Sequence, residues 1–386
     1  MLKAAIIGTG NISPEHIRGY LRFPERVEII ALCDIYPEKA EKKKRDFGLT
    51  NAKVYPSHKE LIADIGAELD IVDVCTPPFT HAEISIDFLN AGVNVVCEKP
   101  MAASLEECDK MLEAEKRSGK TLAIIAQNRF TDPYWKLKGV LDSGKIGRVL
   151  HAAVDSYWWR GHCYYDLWWR GAWATEGGGC TLNHAVHHID MLGWLLGTPE
   201  KVTAVLSNAA HDNAEVEDIS IAAMQYPGGT LAQVTSSVIH HGEEQKVVLQ
   251  GEKARISAPW KVYASLPREN GFPYRNEELE KELEELHNSV PDLKYTGHTA
   301  ELNDVMTAIE TGTRPFIDGV SGRRTIEIIT SIYKSGFEGR TVCLPLKKDD
   351  PWYTVEGIQK NVRHFYEKSA SVENFSDGSI TVGGSR

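Results

Sequence analysis

A glycine-rich turn close to the amino terminus has the spacing that binds a dinucleotide. It follows an apolar, strand-like run and opens a helical pattern, although its third position is Ser13 where the motif usually has glycine. Gly8 permits the tight turn, and Gly10 lets the backbone approach a pyrophosphate whose charge meets free N–H groups at the helix start. A purely structural turn is the alternative. The residues predicted to contact the cofactor here are Gly8, Thr9, Gly10, Asn11 and Ile12.

An acid after the second apolar run indicates which dinucleotide is bound. Asp34 lies at roughly the 20-residue spacing from the turn that the motif requires. Its carboxylate is suited to accept hydrogen bonds from ribose hydroxyls, and it would repel a 2′-phosphate. The next residues, Ile35 and Tyr36, provide no arginine that would neutralise such a phosphate. The prediction is therefore NAD in preference to NADP.

Two further segments with polar side chains follow apolar runs. Thr76 and Pro77 come after one run, and Glu98, Lys99 and Pro100 come after the next. In a doubly wound sheet, ligands bind at the carboxyl ends of the strands, so we expect Thr76, Pro77, Glu98 and Lys99 at the cofactor site. The alternatives are an ordinary turn for the first segment and a solvated surface ion pair for the second.

The elements that position these residues divide the chain into two halves. In the first 125 residues, continuous apolar runs alternate with amphipathic stretches, which predicts an N-terminal Rossmann domain with a doubly wound parallel sheet. From about residue 149 the runs alternate with period two, which predicts a C-terminal α/β domain with an open, mainly antiparallel sheet and a hairpin turn at 227–229. The predicted bounds are 1–128, 129–368 and a flexible tail at 369–386.

Two helices are predicted in the second half at positions that bear on the site and on the joint between the domains. The first spans about Leu182 to Leu196 and is closed by Gly197. The second is an apolar helix through 324–333, which we expect to pack back on the first domain.

An aromatic-rich segment, residues 157–173, holds five of the nine tryptophans of the chain. Flat rings beside Arg, Asp and His side chains can bind both the apolar faces and the hydroxyl edges of a sugar. A core or interface loop is the alternative. The predicted substrate contacts are Arg160, Tyr165, Trp169 and Arg170, with Trp169 and Arg170 nearest the pocket.

Composition excludes several classes of protein. The net charge of -11 argues against a general nucleic-acid binder, and it makes an uncharged or cationic small molecule the easier partner. No apolar run reaches the roughly 18 residues needed to span a bilayer, and no signal-peptide pattern follows the first methionine. Seven cysteines without a Cys-x-x-Cys pair are expected to be reduced thiols. The expected location is the cytoplasm.

Taken together, five segments resemble the glucose-fructose oxidoreductase / inositol dehydrogenase (Gfo/Idh/MocA) family, over residues 1 to about 346. They are Gly8 to Ile12; Thr76 and Pro77 with His81; Glu98, Lys99 and Pro100; Gly177, Gly178 and Gly179; and Asn183 with His187 and Asp190. The paired tyrosines and the Trp-Arg-Gly-x-Trp run of the aromatic segment are similar to those of members that act on hexosides and nucleotide sugars, including members that oxidise the ring at C3.

The resemblance implies roles for several residues. Lys99 and His187 would flank the nicotinamide and the substrate, and His81 would belong to the cofactor site. Many members carry an aspartate four residues before the histidine, but this chain has Asn183, so an amide hydrogen bond must replace a charged partner. A homo-oligomer, as a dimer, tetramer or hexamer, is expected to form through the open sheet.

The chemistry of such a site can be stated in general terms. Oxidising a carbinol requires one group to remove the hydroxyl proton while hydride leaves for the nicotinamide. His187 suits the base, and the ammonium of Lys99 would stabilise the alkoxide and keep the imidazole neutral near pH 7. Asn183, His187 and Asp190 are spaced to share one helical face. We therefore predict Lys99, His187 and Asn183 as catalytic residues, with Asn183, His187 and Asp190 also binding substrate.

A metal site is the rival interpretation of the same region. Candidate ligands crowd together there, but no His-Glu-x-x-His or Cys-x-x-Cys motif occurs, so the prediction is that no metal is bound. His184 and His188 are instead predicted to pack or to give polar support. The candidates are His162, Cys163, Cys180, His184, His187, His188 and Asp190.

These patterns predict an NAD-dependent dehydrogenase of a sugar, glycoside or polyol ring carbon. One alternative is an enzyme that retains NAD tightly and either oxidises glycosides at C3 or cleaves them in a redox-neutral way. A different class is a non-enzymatic NAD-binding sensor, which the presence of both Lys99 and His187 disfavours. The expected partner is a small sugar or glycoside, with neither nucleic acid nor a membrane.

Overall fold

The first half of the chain folds around a parallel sheet. The structure is a computed structural model that describes residues 1–369 and 371–373. The strands are β1 (Leu2–Ile7), β2 (Val27–Cys33), β3 (Lys53–Tyr55), β4 (Ile71–Val74), β5 (Asn94–Cys97) and β6 (Leu122–Ile124). They lie in the order β3-β2-β1-β4-β5-β6, and every pairing is parallel. The predicted Rossmann architecture is confirmed, with the short β3 as an additional edge strand.

Helices connect these strands and cover the sheet, which is why the central strands are apolar along their whole length. They are α1 (Ser13–Leu21), α2 (Pro37–Asp46), α3 (His58–Ile65), α4 (His81–Asn90) and α5 (Leu105–Ser118). The predicted domain boundary at residue 128 falls in a short 3-10 turn, Gln127–Phe130, between β6 and α6 (Asp132–Asp142).

The second half contains a mixed, mainly antiparallel sheet of nine strands, as predicted. The strands are β7 (Val149–Tyr157), β8 (Lys201–Ser207), β9 (Ile219–Gln225), β10 (Leu231–Ser237), β11 (Gln245–Gly251), β12 (Ala254–Ala258), β13 (Lys261–Pro267), β14 (Pro273–Arg275) and β15 (Val342–Cys343). Their order is β14-β13-β12-β11-β7-β10-β9-β8-β15, and only β7 and β10 pair in parallel within the described residues. The turn at 227–229 joins β9 and β10 as a hairpin.

The helix predicted over 182–196 is interrupted. The structure has a four-residue helix α7 (Cys180–Asn183), then a break at His184 and Ala185, then α8 (Val186–Leu196), which ends at Gly197. The remaining helices are α9 (Glu277–Ser289), α10 (Gly297–Thr311), α11 (Gly319–Glu338) and α12 (Val355–Asn361). No helix among the described residues is long and apolar enough to cross a membrane.

Helix α11 joins the two halves. It packs on β8 and α8 of the second half and on α5 and β6 of the first. The close approach to β6 is possible because Gly319 and Gly322 face Leu122 and Ile124 without a side chain of their own. The predicted packing of this helix against the first domain is thus present.

The predicted flexible tail at 369–386 lies mostly outside the described residues, and its described part is hydrogen-bonded. Val372 donates its N–H to the Asp166 carbonyl at 2.8 Å and accepts from the Trp168 N–H at 2.9 Å. Lys368, just before it, donates from its ammonium to the Tyr165 and Leu167 carbonyls. Main-chain hydrogen bonds therefore join Val372 to the aromatic segment, and the flexible tail stays a prediction.

Replacing Gly322 with alanine should destabilise the protein. A Cβ there would lie 2.7 Å from Cγ1 of Ile124, so the helix and β6 would have to separate. We expect a loss of about 1–3 kcal/mol in the free energy of unfolding, measured by chemical denaturation. Gly193→Ala in α8 is the control, since its Cβ would meet nothing closer than 3.4 Å. Equal stability of the two variants would contradict the packing described here.

Candidate active site

The glycine turn has the shape that a closely approaching ligand requires. Gly8 has φ of +90°, and a side chain there would lie 2.7 Å from the Cys75 carbonyl oxygen, so only glycine fits. Gly10 and Asn11 are exposed, and no atom lies within 4 Å of the position that a Cβ of Gly10 would take. Half-buried Ile12 leads directly into α1. The turn therefore leaves space for a pyrophosphate against the backbone at a helix N-terminus.

Asp34 holds this turn. One carboxylate oxygen accepts from the Thr9 N–H at 2.8 Å and from the Thr9 hydroxyl at 2.7 Å. The other oxygen accepts from the Tyr36 N–H at 2.9 Å. The carboxylate thus lies beside the cofactor turn, at the end of β2, where a ribose would be expected.

The loops after β4 and β5 are tied together by a buried histidine. The two ring nitrogens of His81 lie 2.7 Å from the Thr76 carbonyl oxygen and 2.8 Å from the Pro100 carbonyl oxygen. Thr76 and Pro77 are half-buried at the strand edge. His81 was predicted at the cofactor site, and the structure places its ring inside the protein, where it can only position the loops that would contact a ligand.

Glu98 is also turned inward. One carboxylate oxygen lies 2.9 Å from His16 Nε2 and 3.3 Å from His298 Nε2, and the other accepts from the Lys99 N–H at 3.0 Å. The other ring nitrogen of His16 lies 2.9 Å from Asp73. Burial alone would raise the pKa of Glu98, but the hydrogen bonds from the two histidines hold it well below its usual range. Glu98 therefore fixes the main chain at Lys99 and does not face the cleft.

The structure brings Lys99, Asn183 and His187 together. The Lys99 ammonium donates to the Asn183 carbonyl oxygen at 3.4 Å, and Lys99 and His187 line the same small cavity. Burial lowers the pKa of Lys99, with Glu98 opposing and Arg170 adding to the shift. Burial and the neighbouring Lys99 charge also lower the pKa of His187 well below its usual value. Both effects favour the neutral form of the His187 imidazole, which is the form that a general base requires.

The predicted role of the Asn183 side chain needs correction. Its amide nitrogen donates to the carbonyl oxygens of Gly178 and Gly179, at 2.9 and 3.4 Å, and not to His187. The reason is the helix break at 184–185, which takes Asn183 off the helix that carries His187. Asn183 contributes its backbone carbonyl to Lys99 and stabilises the glycine run.

The atoms packed against Gly178 and Gly179 leave no space for a side chain at either position. A Cβ on Gly178 would lie 2.2 Å from the Tyr333 hydroxyl, and one on Gly179 would lie 1.9 Å from the Glu217 carbonyl oxygen. The Glu217 carboxylate accepts from the N–H groups of Gly179 and Thr181 and from the Tyr333 hydroxyl. This buried acid, whose pKa burial raises to about 7, anchors the start of α7. No local pattern in the sequence indicates this role of Glu217.

The aromatic segment places an arginine between two rings. The Arg170 guanidinium lies 4.2 Å from the Tyr164 ring centroid and 4.1 Å from that of Trp169. It donates to Glu176 at 2.8 Å, while Arg160 forms an ion pair with Glu243 and lies 5.7 Å from the same Tyr164 ring.

One predicted substrate contact in this segment belongs to the core. Tyr165 is only 1% exposed and packs edge-on against His211. Its neighbour Tyr164, which the sequence prediction passed over, lies with its hydroxyl 3.4 Å from His184 Nε2. The two rings contact each other edge to face, with centroids 5.1 Å apart, and residue type alone does not tell which of them is fully buried.

Asp190 is likewise withdrawn from the cleft. Both its oxygens accept from Arg129, each at 2.7 Å, and one also accepts from the Thr325 hydroxyl at 3.1 Å. The side chains of this ion pair are only 4% and 5% exposed. Arg129 and Thr325 hold the Asp190 carboxylate inside the protein, so the structure does not place it where the predicted substrate contact would be.

The histidines proposed as rival metal ligands have other neighbours. His162 pairs with Asp212, His184 contacts Tyr164, and His188 lies 2.9 Å from the Ser156 hydroxyl. Cys163 is exposed and Cys180 is buried. Clusters with metal-ligand spacing occur elsewhere in the described residues, the nearest to this site being His16, Glu98 and His298, whose hydrogen bonds are given above.

Comparison with known proteins establishes the family. The family model described as an oxidoreductase family with an NAD-binding Rossmann fold matches residues 2–126, and the GFO/IDH/MocA C-terminal domain matches residues 134–257. The chain belongs to the Gfo/Idh/MocA oxidoreductase family, as the sequence motifs predicted.

Particular relatives are similar over much of the chain. It is 30% identical to inositol 2-dehydrogenase of Salmonella typhimurium over 53% of this chain and 57% of that protein, so it spans little more than half that relative's length. It is 30% identical to an uncharacterized oxidoreductase of Streptococcus pneumoniae, over 66% of this chain and 68% of that protein. The WlbA dehydrogenase from Bordetella pertussis, solved in complex with NADH and UDP-GlcNAcA, superposes with a TM-score of 0.77 at 27% identity, covering 90% of this chain and 98% of that one.

The buried histidines predict a loss of stability in acid. Burial lowers the pKa of His188 from 6.5 to about 4, so the unfolded chain binds the proton more readily. The contribution of neutral His188 to the free energy of unfolding is fully present above about pH 6.5. It is lost as the pH falls toward 4, and the loss is at most roughly 3 kcal/mol. Urea denaturation from pH 7 to 4 should show a shallower decline for His188→Asn than for the wild type. A substitution at the exposed His151 is the control and should show the same decline of stability with pH as the wild type. An unchanged decline in His188→Asn would refute the lowered pKa of His188.

Proposed function

We propose that the protein oxidises a secondary alcohol on the ring of a sugar, glycoside or polyol, with NAD as the hydride acceptor. The observation that carries the proposal is the pairing of Lys99 with His187 at the carboxyl edge of the Rossmann sheet, beside a turn shaped for a dinucleotide. A dinucleotide-binding sensor would have no need of a desolvated lysine and a neutral histidine in one cleft.

The residues present fit NAD. The backbone at Gly8 to Ile12 would hold its pyrophosphate, Asp34 would accept from its ribose hydroxyls, and Thr76 and Pro77 lie at the same sheet edge. Asp34 would repel the 2′-phosphate of NADP, so the proposal is for NAD. When bound, NAD supplies the carbon that accepts hydride.

The chain's own residues handle the proton and the charge. Nε2 of His187 accepts the hydroxyl proton of the substrate, since burial keeps this imidazole neutral at pH 7. The Lys99 ammonium donates a hydrogen bond to the oxygen as it becomes an alkoxide and then a carbonyl. Both groups sit where little water competes, which strengthens their electrostatic effect.

The aromatic segment is the proposed sugar site. The Arg170 guanidinium, which lies over the rings of Tyr164 and Trp169, would present N–H donors to hydroxyl edges, and the rings would offer apolar faces, with Arg160 near the same Tyr164 ring. The names of the inositol and UDP-GlcNAcA relatives support a polyhydroxylated ring as substrate. We propose C3 as the reacting ring carbon because the paired tyrosines and the Trp-Arg-Gly-x-Trp run are similar to those of members that oxidise the ring at C3. Retention of NAD with redox-neutral glycoside cleavage is the second candidate.

The second sheet supports the proposed homo-oligomer. Val205, Ile221 and Leu231 lie on one face of the neighbouring strands β8, β9 and β10 and are 65%, 50% and 55% exposed. Exposed apolar side chains on an open sheet face are typical of a surface that another copy covers.

The catalytic pair is tested by substitution. Lys99→Ala and His187→Ala should each lower kcat by about 100-fold or more, because each removes a group acting on the transferring proton or the developing alkoxide. Binding of NADH, followed by nicotinamide fluorescence, should persist. His58→Ala and Lys59→Ala on α3 are matched controls outside the cleft. Near-normal kcat in His187→Ala would refute the proposal.

Cofactor preference is tested at Asp34. The wild type should show a higher kcat/KM with NAD than with NADP, and Asp34→Ser should narrow that ratio by removing the repelling charge. Thr9→Val is the control, because it removes one hydrogen bond to the same carboxylate but leaves its charge, so the ratio should hold. A wild-type advantage for NADP would overturn the assignment.

A further inference from the structure

The two ring nitrogens of His187 lie in different surroundings. Its Nδ1 atom is buried and has no hydrogen-bond partner among residues 1–369 and 371–373. Nε2 is not enclosed in this way, and the ring as a whole is half-buried. A buried nitrogen without a partner costs about 1–3 kcal/mol, so an unpaired Nδ1 at the centre of a site calls for an explanation.

The side chain expected to supply that partner is elsewhere. Asn183 donates to Gly178 and Gly179, and its carbonyl oxygen receives Lys99. His187 therefore lacks a direct protein group that would fix which ring nitrogen carries the proton. A base of this kind works only if Nε2 is the unprotonated nitrogen, which requires a hydrogen-bond acceptor on the Nδ1 side.

A small cavity lies beside His187. Its volume is about 20 Å³, and its polar lining residues are Lys99, His187, Asp190 and Thr325. A cavity needs roughly 10–15 Å³ and two or more polar partners to hold a water molecule. The remaining lining is apolar and almost wholly buried, with Val186, Ala126 and Ile326 among it. The size and lining suit a single water.

Asp190, which also lines this cavity, is held in place by its own hydrogen bonds. Asp190 follows His187 by three residues on α8, so the two side chains are neighbours on one helical face, roughly 5–6 Å apart at their Cβ atoms. Arg129 holds both carboxylate oxygens, and Thr325 donates to one of them. A carboxylate oxygen has capacity for further donors beyond these bonds.

We infer that one buried water bridges Nδ1 of His187 to Asp190, so that Asp190 is a positioning residue for the base and takes over from the aspartate that Asn183 replaces. The Nδ1–H donates to the water, and the water donates to the carboxylate. This keeps Nε2 free to accept a proton and stabilises the imidazolium once formed. The inference rests on the proposed function, because it assumes that His187 is the base.

Other charges also face His187, and they constrain the test. Lys99 and His298 disfavour its protonation, as does His188 on the same helix, while Glu98 favours it. A substitution that leaves all of these unchanged is therefore preferable. Val186→Ile adds one methylene at the cavity wall and excludes the water without altering any polar group. Val305→Ile, in the buried face of α10, is the matched control for the cost of an extra methylene.

The experiment measures kcat, the KM for NAD and the histidine tautomer, the last by nitrogen-15 NMR of the full chain. In the wild type, His187 should carry its proton on Nδ1. Val186→Ile should shift the tautomer toward Nε2–H and lower kcat about tenfold or more, with KM for NAD unchanged, while Val305→Ile retains wild-type values. Asp190→Asn should lower kcat in the same way if thermal denaturation shows that it is folded.

The outcomes separate the two proposals. If His187→Ala is inactive while Val186→Ile keeps both kcat and the Nδ1–H tautomer, the water bridge is wrong and the catalytic pair stands. An Nε2–H tautomer in the wild type would also overturn the bridge. If His187→Ala remains active, the proposed function itself fails.

Discussion

The site depends on a partly buried lysine ammonium at the joint between the two domains. Lys99 ends a Rossmann strand and reaches the Asn183 carbonyl of the second domain. Removing it from water lowers its pKa, and its charge in turn opposes a charge on His187. A cation and a neutral base can then coexist near pH 7, which is the combination that an alcohol oxidation needs.

Much of the structure serves to hold that arrangement. Glu98, buried between His16 and His298, fixes the main chain at Lys99. Through the Pro100 carbonyl, His81 connects the loop after Lys99 to the edge of the neighbouring strand. On the other side, Arg129 and Asp190 join α8 to the end of the Rossmann half. Buried pairs of this kind are costly to break, because removing one member leaves an uncompensated charge. They favour one relative placement of Lys99 and His187.

Local patterns in the sequence were sufficient to predict the fold class and the motifs. Strand runs, the glycine turn with Asp34 and the helix end at Gly197 are set by residues a few positions apart, and the structure has each of them. The pairings of Arg129 with Asp190 and of His16 with Glu98 join residues 61 and 82 positions apart, so no periodicity signals them. The helix break at 184–185 and the inward turn of Tyr165 were missed because both depend on tertiary packing. The net charge of -11 gives no sign that Lys99, Arg160 and Arg170 lie near one another around His184.

The most direct test of the account is a crystal structure of the protein with NADH and a glycoside or inositol. The account predicts that one ring carbinol lies with its oxygen within about 2.6–3.2 Å of both Lys99 Nζ and His187 Nε2, and its carbon within about 3.5 Å of the nicotinamide C4. A substrate ring bound against Trp169 and Arg170 with its carbinol held by other groups, and with Lys99 and His187 both out of contact, would contradict it.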